Sequence, residues 1–186
     1  EAPSTEWYFA EGYQGFFDTY LLIANPGAVD ATVTVTFLRE GTGPLLRSYQ
    51  IGPTSRATVY AGLEPELLNR SFSMVVESDV PLIAERAMYW SRPGKFWAGG
   101  HESAGVTSPE LSWFLAEGAT GPYFDEFILV ANPNNAPVDL MIRYLLKDGT
   151  TLDKTATIAA KARLTINVEL QDVLLADTAV STTLTA

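Results

Sequence analysis

Residues 4–27 read "STEWYFAEGYQGFFDTYLLIANPG", and residues 111–134 read "LSWFLAEGATGPYFDEFILVANPN". The two strings share a tryptophan, an Ala-Glu-Gly, a Phe-Asp and an Asn-Pro in the same order. Trp7 aligns with Trp113 at an offset of 106 (113 − 7), and Asp18 with Asp125 at 107 (125 − 18). The second copy therefore has one extra residue in its first turn, "GATGPYFD" against "GYQGFFD". At the longer offset the match continues through Asn25-Pro26 with Asn132-Pro133, Phe37-Leu38 with Tyr144-Leu145, and Arg56 with Arg163. A period this long is that of a whole domain in tandem, not of a small solenoid unit.

Within each copy the pattern is that of strands. "TYLLIAN", "ATVTVTFL", "LLRSYQI", "RATVYA", "FSMVVES" and "PLIAERAMYW" are short runs of β-branched and aromatic residues, punctuated by "NPGAVD", "EGTGP", "IGPTS" and "ESDVP". "ATVTVTFL" alternates apolar and hydroxyl side chains, as a half-exposed antiparallel strand does. Asp148-Gly149 marks a hairpin, whereas "LEPELLN" and "LQDVLLAD" look helical for about two turns. Seven or eight strands in roughly 105 residues predict an all-β chain of two tandem immunoglobulin-like antiparallel β-sandwich domains, residues 1–108 and 109–186. "VSTTLTA" falls level with "FSMVVES", so Ala186 aligns with Ser78 and nothing in the second copy corresponds to 79–108. The second sandwich is thus expected to lack its last strands and to carry an unpaired edge, which proteins normally cover; either the parent protein continues beyond Ala186 or another chain supplies that strand.

With 22 Asp+Glu against 12 Lys+Arg the net charge is −10, and the basic residues are scattered. Such a surface repels phosphate backbones and anionic lipid, which excludes nucleic-acid binding and electrostatic membrane docking as expectations. No run approaches the roughly 18 apolar residues that span a bilayer, so no membrane insertion is expected. The chain has no cysteine, so disulfides, thiolate metal sites and cysteine nucleophiles are excluded. The abrupt "EAPSTEW" start suits a mature or trimmed chain.

Chemistry finds little support. "GHESAG" (100–105) resembles a nucleophile elbow around Ser103, but His101 occupies the first glycine position and is the sole histidine available as a base. No catalytic residue is expected. Glu11 and Glu117 recur in "FAEG" and "LAEG", as do Arg56 and Arg163. Recurrence in both copies favours structural ion pairs, Glu11–Arg56 and Glu117–Arg163. Glu85 and Arg86 point to opposite faces of one strand, so one of them turns inward and needs a partner. Asp18, Asp125, Asn25 and Asn132 are oxygen donors near turns. Turn chemistry is favoured over calcium for them, and neither a metal nor a cofactor is expected. "NRS" at residues 69–71 fits a glycosylation sequon.

"MYWSRPGKFWAGG" reads as an aromatic hairpin turning at Pro93-Gly94. If Arg92 and Lys95 pair, Trp90 faces Trp97 and Ser91 faces Phe96; pairing then stops near Gly99-Gly100, because continuing it would oppose Glu85 and Glu102. Trp90, Phe96 and Trp97 are the residues of a possible glycan platform, against the alternatives of a core lid or an inter-repeat contact.

"WYFAEG…FDTYLLIANP", followed by "ESDVPLIAERAMYW" and "WAGGHESAGVTSP", resembles a tandem-repeat module of secreted and surface-exposed bacterial proteins, a family of unknown function. The resemblance implies a β-sandwich unit strung in arrays outside the cell, beside adhesive, wall-associated or enzymatic partners. The expectation is a non-enzymatic, extracellular or cell-surface structural or adhesive module, a spacer or fibre subunit that completes its open edge by strand exchange. Its partners would be other copies of itself, neighbouring repeats or extracellular polysaccharide. The alternative is a carbohydrate-binding module.

Overall fold

The computed structural model describes residues 2–186. The chain is all-β with antiparallel sheets, and it divides into two compact units, Glu1–Pro109 and Glu110–Ala186.

Unit one is built from β1 (Ser4–Phe9), β2 (Tyr13–Gln14), β3 (Phe17–Asn25), β4 (Ala31–Arg39), β5 (Leu45–Ile51), β6 (Ser55–Tyr60), β7 (Arg70–Arg92) and β8 (Lys95–Ala104). The alternation read from the sequence is obeyed. Ala31, Val33, Val35 and Phe37 of β4 turn inward, as do Leu21 and Ile23 of β3. They meet Trp7, Phe9, Val59, Phe72, Met74 and Leu82 in one core.

β7 is a single strand of 23 residues, not the two strands that "ESDVP" seemed to separate. Its first part pairs with β4 up to Ser78 and with β1 as far as Leu82, past an irregularity; residues 83–90 pair with β3. The intervening "DVP" is the passage between the two ladders, where a proline costs no ladder bond. Asp79 remains useful there, because its carboxylate accepts from the amide of Thr32 at 2.8 Å. The segments expected to be helical form only 3-10 turns at Ala61–Leu63, Pro65–Leu67 and Val173–Leu175. Each is too short to propagate an α-helix.

Unit two contains β9 (Ser112–Leu115), β10 (Phe127–Asn132), β11 (Val138–Leu146), β12 (Thr151–Ile158), β13 (Ala162–Asn167) and β14 (Val180–Thr185). Their order is β12-β11-β14-β9 in one sheet and β10-β13 in the other. The β11–β12 hairpin turns at Asp148-Gly149, with the Asp148 carboxylate accepting from Thr150 N at 2.9 Å. Ile128, Leu140, Ile142, Tyr144, Ile158 and Leu184 share a core of their own.

The repeat extends to individual bonds. Asn25 is buried, and its amide donates to the carbonyls of Val29, Ile51 and Gly52 while its Oδ1 accepts from Gly27 N. Asn132 makes the same set with Ala136, Ile158, Ala159 and Asn134 N. Both asparagines are therefore clamps that close the loop after β3 or β10 onto the β5–β6 or β12–β13 turn. Ser73 Oγ donates to Ala10 O, and Ser181 Oγ to Ala116 O, tying the residue after the first strand of each unit to the strand it pairs with.

Candidate functional site

Four features of the chain carry polar or aromatic groups beyond what the cores need. The first lies on β7 and β8 of unit one. The hairpin does begin with Arg92 opposite Lys95, but a bulge then shifts the register by two residues, so Trp90 faces Gly99 and Tyr89 faces Gly100. Trp97 sits in the bulge at φ 48°, its amide bonded to Ser91 Oγ at 3.1 Å. The expected pairing of Trp90 with Trp97 is thereby corrected. Pairing continues to Ala104 instead of stopping near Gly99, because the shift puts Glu85 opposite Ala104 and Glu102 opposite Ala87. The like charges never meet. Gly99 and Gly100 are needed because the rings of Trp90 and Tyr89 lie directly across them.

This register turns Arg86, His101 and Ser103 to the same face. Arg86 lies opposite Leu21, is buried, and forms an ion pair with the Glu11 carboxylate. Its Nη2 donates to Ser103 Oγ at 3.1 Å and contacts His101 Nδ1 at 3.2 Å. A guanidinium only donates, so Nδ1 is the acceptor there and Nε2 faces Glu11 Oε1 at 3.7 Å. The expected Glu11–Arg56 pair is therefore replaced by Glu11–Arg86. Arg56 is opposite Ala24, on the face away from Val59 and Leu21, and donates to Thr58 Oγ1. Arg163 repeats this arrangement opposite Ala131, donating to Thr165 Oγ1 at 2.8 Å. What recurs between the copies is thus the arginine–threonine bond. Ser103 spends its oxygen on a cation and not on a base, which leaves it without the activation a nucleophile needs.

The second feature is an aromatic strip on the outer face of β6, β3, β7 and β8. Tyr60 stacks on Tyr20 (4.7 Å between centroids), Tyr20 meets Tyr89 and Trp97 edge-on, and Trp97 stacks on Phe96 (5.0 Å). Trp90 is not part of it, because it turns to the inner face and packs edge-on against Phe17. The expected platform of Trp90, Phe96 and Trp97 is split between two faces. Asp18 borders the strip and accepts from Tyr60 OH at 2.6 Å, which pushes the phenol up to about 12. Asp125, its counterpart in unit two, is exposed. Tyr20, Tyr60 and Tyr89 went unnoticed in the sequence because their alternation was indistinguishable from ordinary strand aromatics.

The third feature is polar and lies in unit two. Three positions that are apolar or satisfied in unit one have changed: Thr19 to Glu126, Phe37 to Tyr144, and Met74 to Thr182. Each now carries a buried oxygen without a hydrogen-bond partner, at Glu126 Oε2, Tyr144 OH and Thr182 Oγ1. Tyr144 and Thr182 are register partners on β11 and β14. Burial, and then the charge of Glu126, push the Tyr144 phenol up to about 12. Burial, and then the charge of Glu117, hold the Glu126 carboxyl above its usual range.

That shift has a sign. A carboxyl that binds its proton more tightly when folded stabilises fully below its unfolded pKa, and the contribution is lost as pH rises through the folded value. Unit two should therefore lose stability on going from mildly acidic to neutral pH, and Glu126→Gln should remove that part of the slope. Urea unfolding of the whole chain, followed through the methyl resonances of Ile128 and Ile142 at a series of pH values, measures it.

The fourth feature is an edge. β3 pairs with β6 on one side and β7 on the other, whereas β10 pairs with β13 alone among the described residues. Trp113 reflects the same difference. Trp7 is 0% exposed and its indole donates to Leu82 O on β7, whereas Trp113 is 37% exposed and bonds locally to Glu110 O.

No protein-family model matches the chain, and no curated protein sequence does. Among solved structures, a crystal structure of Thermotoga maritima 1070 is similar with a TM-score of 0.52 at 20% identity, over 57% of this chain and 96% of that one. At that identity the likeness is one of fold. The Anabaena sensory rhodopsin transducer gives a TM-score of 0.41 at 23% identity, over 45% of this chain and 87% of its own.

Proposed function

We propose that the chain is a non-enzymatic structural module of an extracellular or cell-surface assembly, made of two tandem immunoglobulin-like units that join neighbours by strand addition. The observation that carries this reading is the edge of β10, which has one neighbour where its counterpart β3 has two. An exposed strand edge offers main-chain donors and acceptors to any extended segment, and β-strand addition is a recurrent mode of association. The exposed side chains of Trp113, Phe114, Tyr123, Phe124 and Phe127 in the same unit supply apolar area for such a partner. The repeated clamps and turn bonds serve rigidity, as a spacer or fibre subunit requires. A glycan platform is the weaker reading, because Tyr20 and Tyr60, and Phe96 and Trp97, turn their ring faces toward one another.

Solution mass by light scattering over a wide concentration range tests the assembly reading. We expect a concentration-dependent series of oligomers that a peptide of residues 79–108 caps. A monomer at all concentrations, indifferent to that peptide, would contradict it.

A further inference from the structure

We infer that the outer face of the β6-β3-β7-β8 sheet in unit one docks an arginine from a basic segment of a partner polypeptide. The guanidinium stacks on the rings of Tyr89 and Trp97, and Asp18, Glu85 and Glu102 meet its charge. The site lies wholly within unit one and takes no part in strand addition at β10.

Register places the groups. Tyr60, Tyr20, Ala87 and Glu102 form one row across the four strands, because each pairs directly with the next. Asp18, Tyr89 and Gly100 form the row beside it, and Glu85 stands two residues before Ala87 on the same face. Tyr89 thus has Asp18 directly across one ladder and Glu102 diagonally across the other, where backbones are about 7–8 Å apart. Glu85 and Glu102 are diagonal neighbours as well. Both are exposed, and among the described residues neither has a hydrogen bond or an ion pair. Asp18 accepts from Tyr60 and Gln14 through Oδ1 and leaves Oδ2 unbonded. Arg56, the cation that register puts on this face, stands at the far end of β6 and bonds to Thr58; Arg92 and Lys95 lie at the hairpin tip, beyond the bulge.

Carboxylates gathered beside exposed rings, with no cation among them, are the complement of a guanidinium. Ring faces attract cations, and a guanidinium is flat enough to stack on a ring while its N–H fork reaches a carboxylate. An ammonium, a point charge, does only one of these well. The rings are also placed at a cost. Trp97 holds φ 48°, a strained backbone for so bulky a residue, yet it is 48% exposed, so burial does not offset the strain. Strain of this kind concentrates at ligand sites. The asparagine clamps and the arginine–threonine bonds serve the fold and recur in both units. The strip does not: Phe127 and Asn167 stand where unit one has Tyr20 and Tyr60.

The test uses the whole chain and the peptide acetyl-Gly-Arg-Gly-Arg-Gly-amide, followed by aromatic NMR. We expect saturable shifts centred on the rings of Tyr89 and Trp97, with Trp7 in the core unmoved. Replacing both arginines by citrulline, which keeps the planar group and removes the charge, should weaken binding about fivefold or more. A Glu85→Gln/Glu102→Gln chain should lose that preference. A Glu77→Gln/Glu169→Gln chain, which removes the same charge away from this face, should bind as the native chain does.

Equal affinity for the arginine and citrulline peptides would overturn the assignment. So would equal losses in the two double variants, the mark of diffuse attraction to an acidic chain. Shifts of these rings on dilution without peptide, or with cellotetraose and not with the peptide, would give the face to a second copy or to a glycan and overturn it too.

Discussion

Replacing Asn25 with alanine is expected to destabilise unit one by about 2–4 kcal/mol, and Asn132→Ala should do the same to unit two. One amide group donates to three carbonyls in each case, at 2.8–3.1 Å for Asn25 and 2.9–3.2 Å for Asn132. With two hydrogens for three acceptors, one bond is shared, and removing the side chain strands buried carbonyls that water reaches poorly. Aspartate is no substitute, because its carboxylate would face those carbonyls as an acceptor against acceptors. Denaturant unfolding of the two variants measures the losses. Changes below about 0.5 kcal/mol in both, the size of an ordinary surface substitution, would show that the clamps are ornamental.

The second large effect separates two residues that the sequence presents as equivalent. Trp7→Ala should cost about 3–5 kcal/mol, the range for emptying a buried aromatic site, with the lost bond to Leu82 O included. Trp113→Ala should cost about 1 kcal/mol or less in the free chain, because a third of that side chain is already in water and its indole bond is to a local carbonyl. Unfolding of each variant, followed unit by unit, checks the asymmetry. Equal costs would mean that Trp113 is anchored by its own sheet and that no incoming strand is needed to bury it.

Much of this organisation was legible in residue types. Alternation in "ATVTVTFL" located β4 and its inward face, and the offset of 107 aligned Arg56 with Arg163 and Asn25 with Asn132, though the arginines read as ion-pair partners of Glu11 and Glu117 and the asparagines only as turn chemistry. Arg86 was recognisable as one of two strand charges, of which one had to turn inward. Its partner was not. The sequence offered Arg56 to Glu11 because both recur, and only the register shows Arg56 on the far face.

The two misread passages of β7 and β8 have separate causes. Pro81 and "SD" look like a turn, yet β7 runs through them because it leaves one ladder for another. The hairpin slips by two residues because Trp97 adopts a left-handed conformation, a choice that local preference for non-glycine residues argues against. The polar cluster of unit two was visible only by comparing the copies position by position, where Thr19, Phe37 and Met74 become Glu126, Tyr144 and Thr182. Nothing in the second copy read alone marks them.

Native-state hydrogen exchange on β10 tests the central claim most directly. The amides of residues 127–132 that do not bond to β13 should exchange rapidly in the free monomer, while their counterparts on β3, held by β7, are protected. Saturation with the peptide of residues 79–108 should slow those same β10 amides and leave β3 unchanged. Full protection along β10 in the free monomer, or no change with saturating peptide, would contradict the proposed strand addition at this edge.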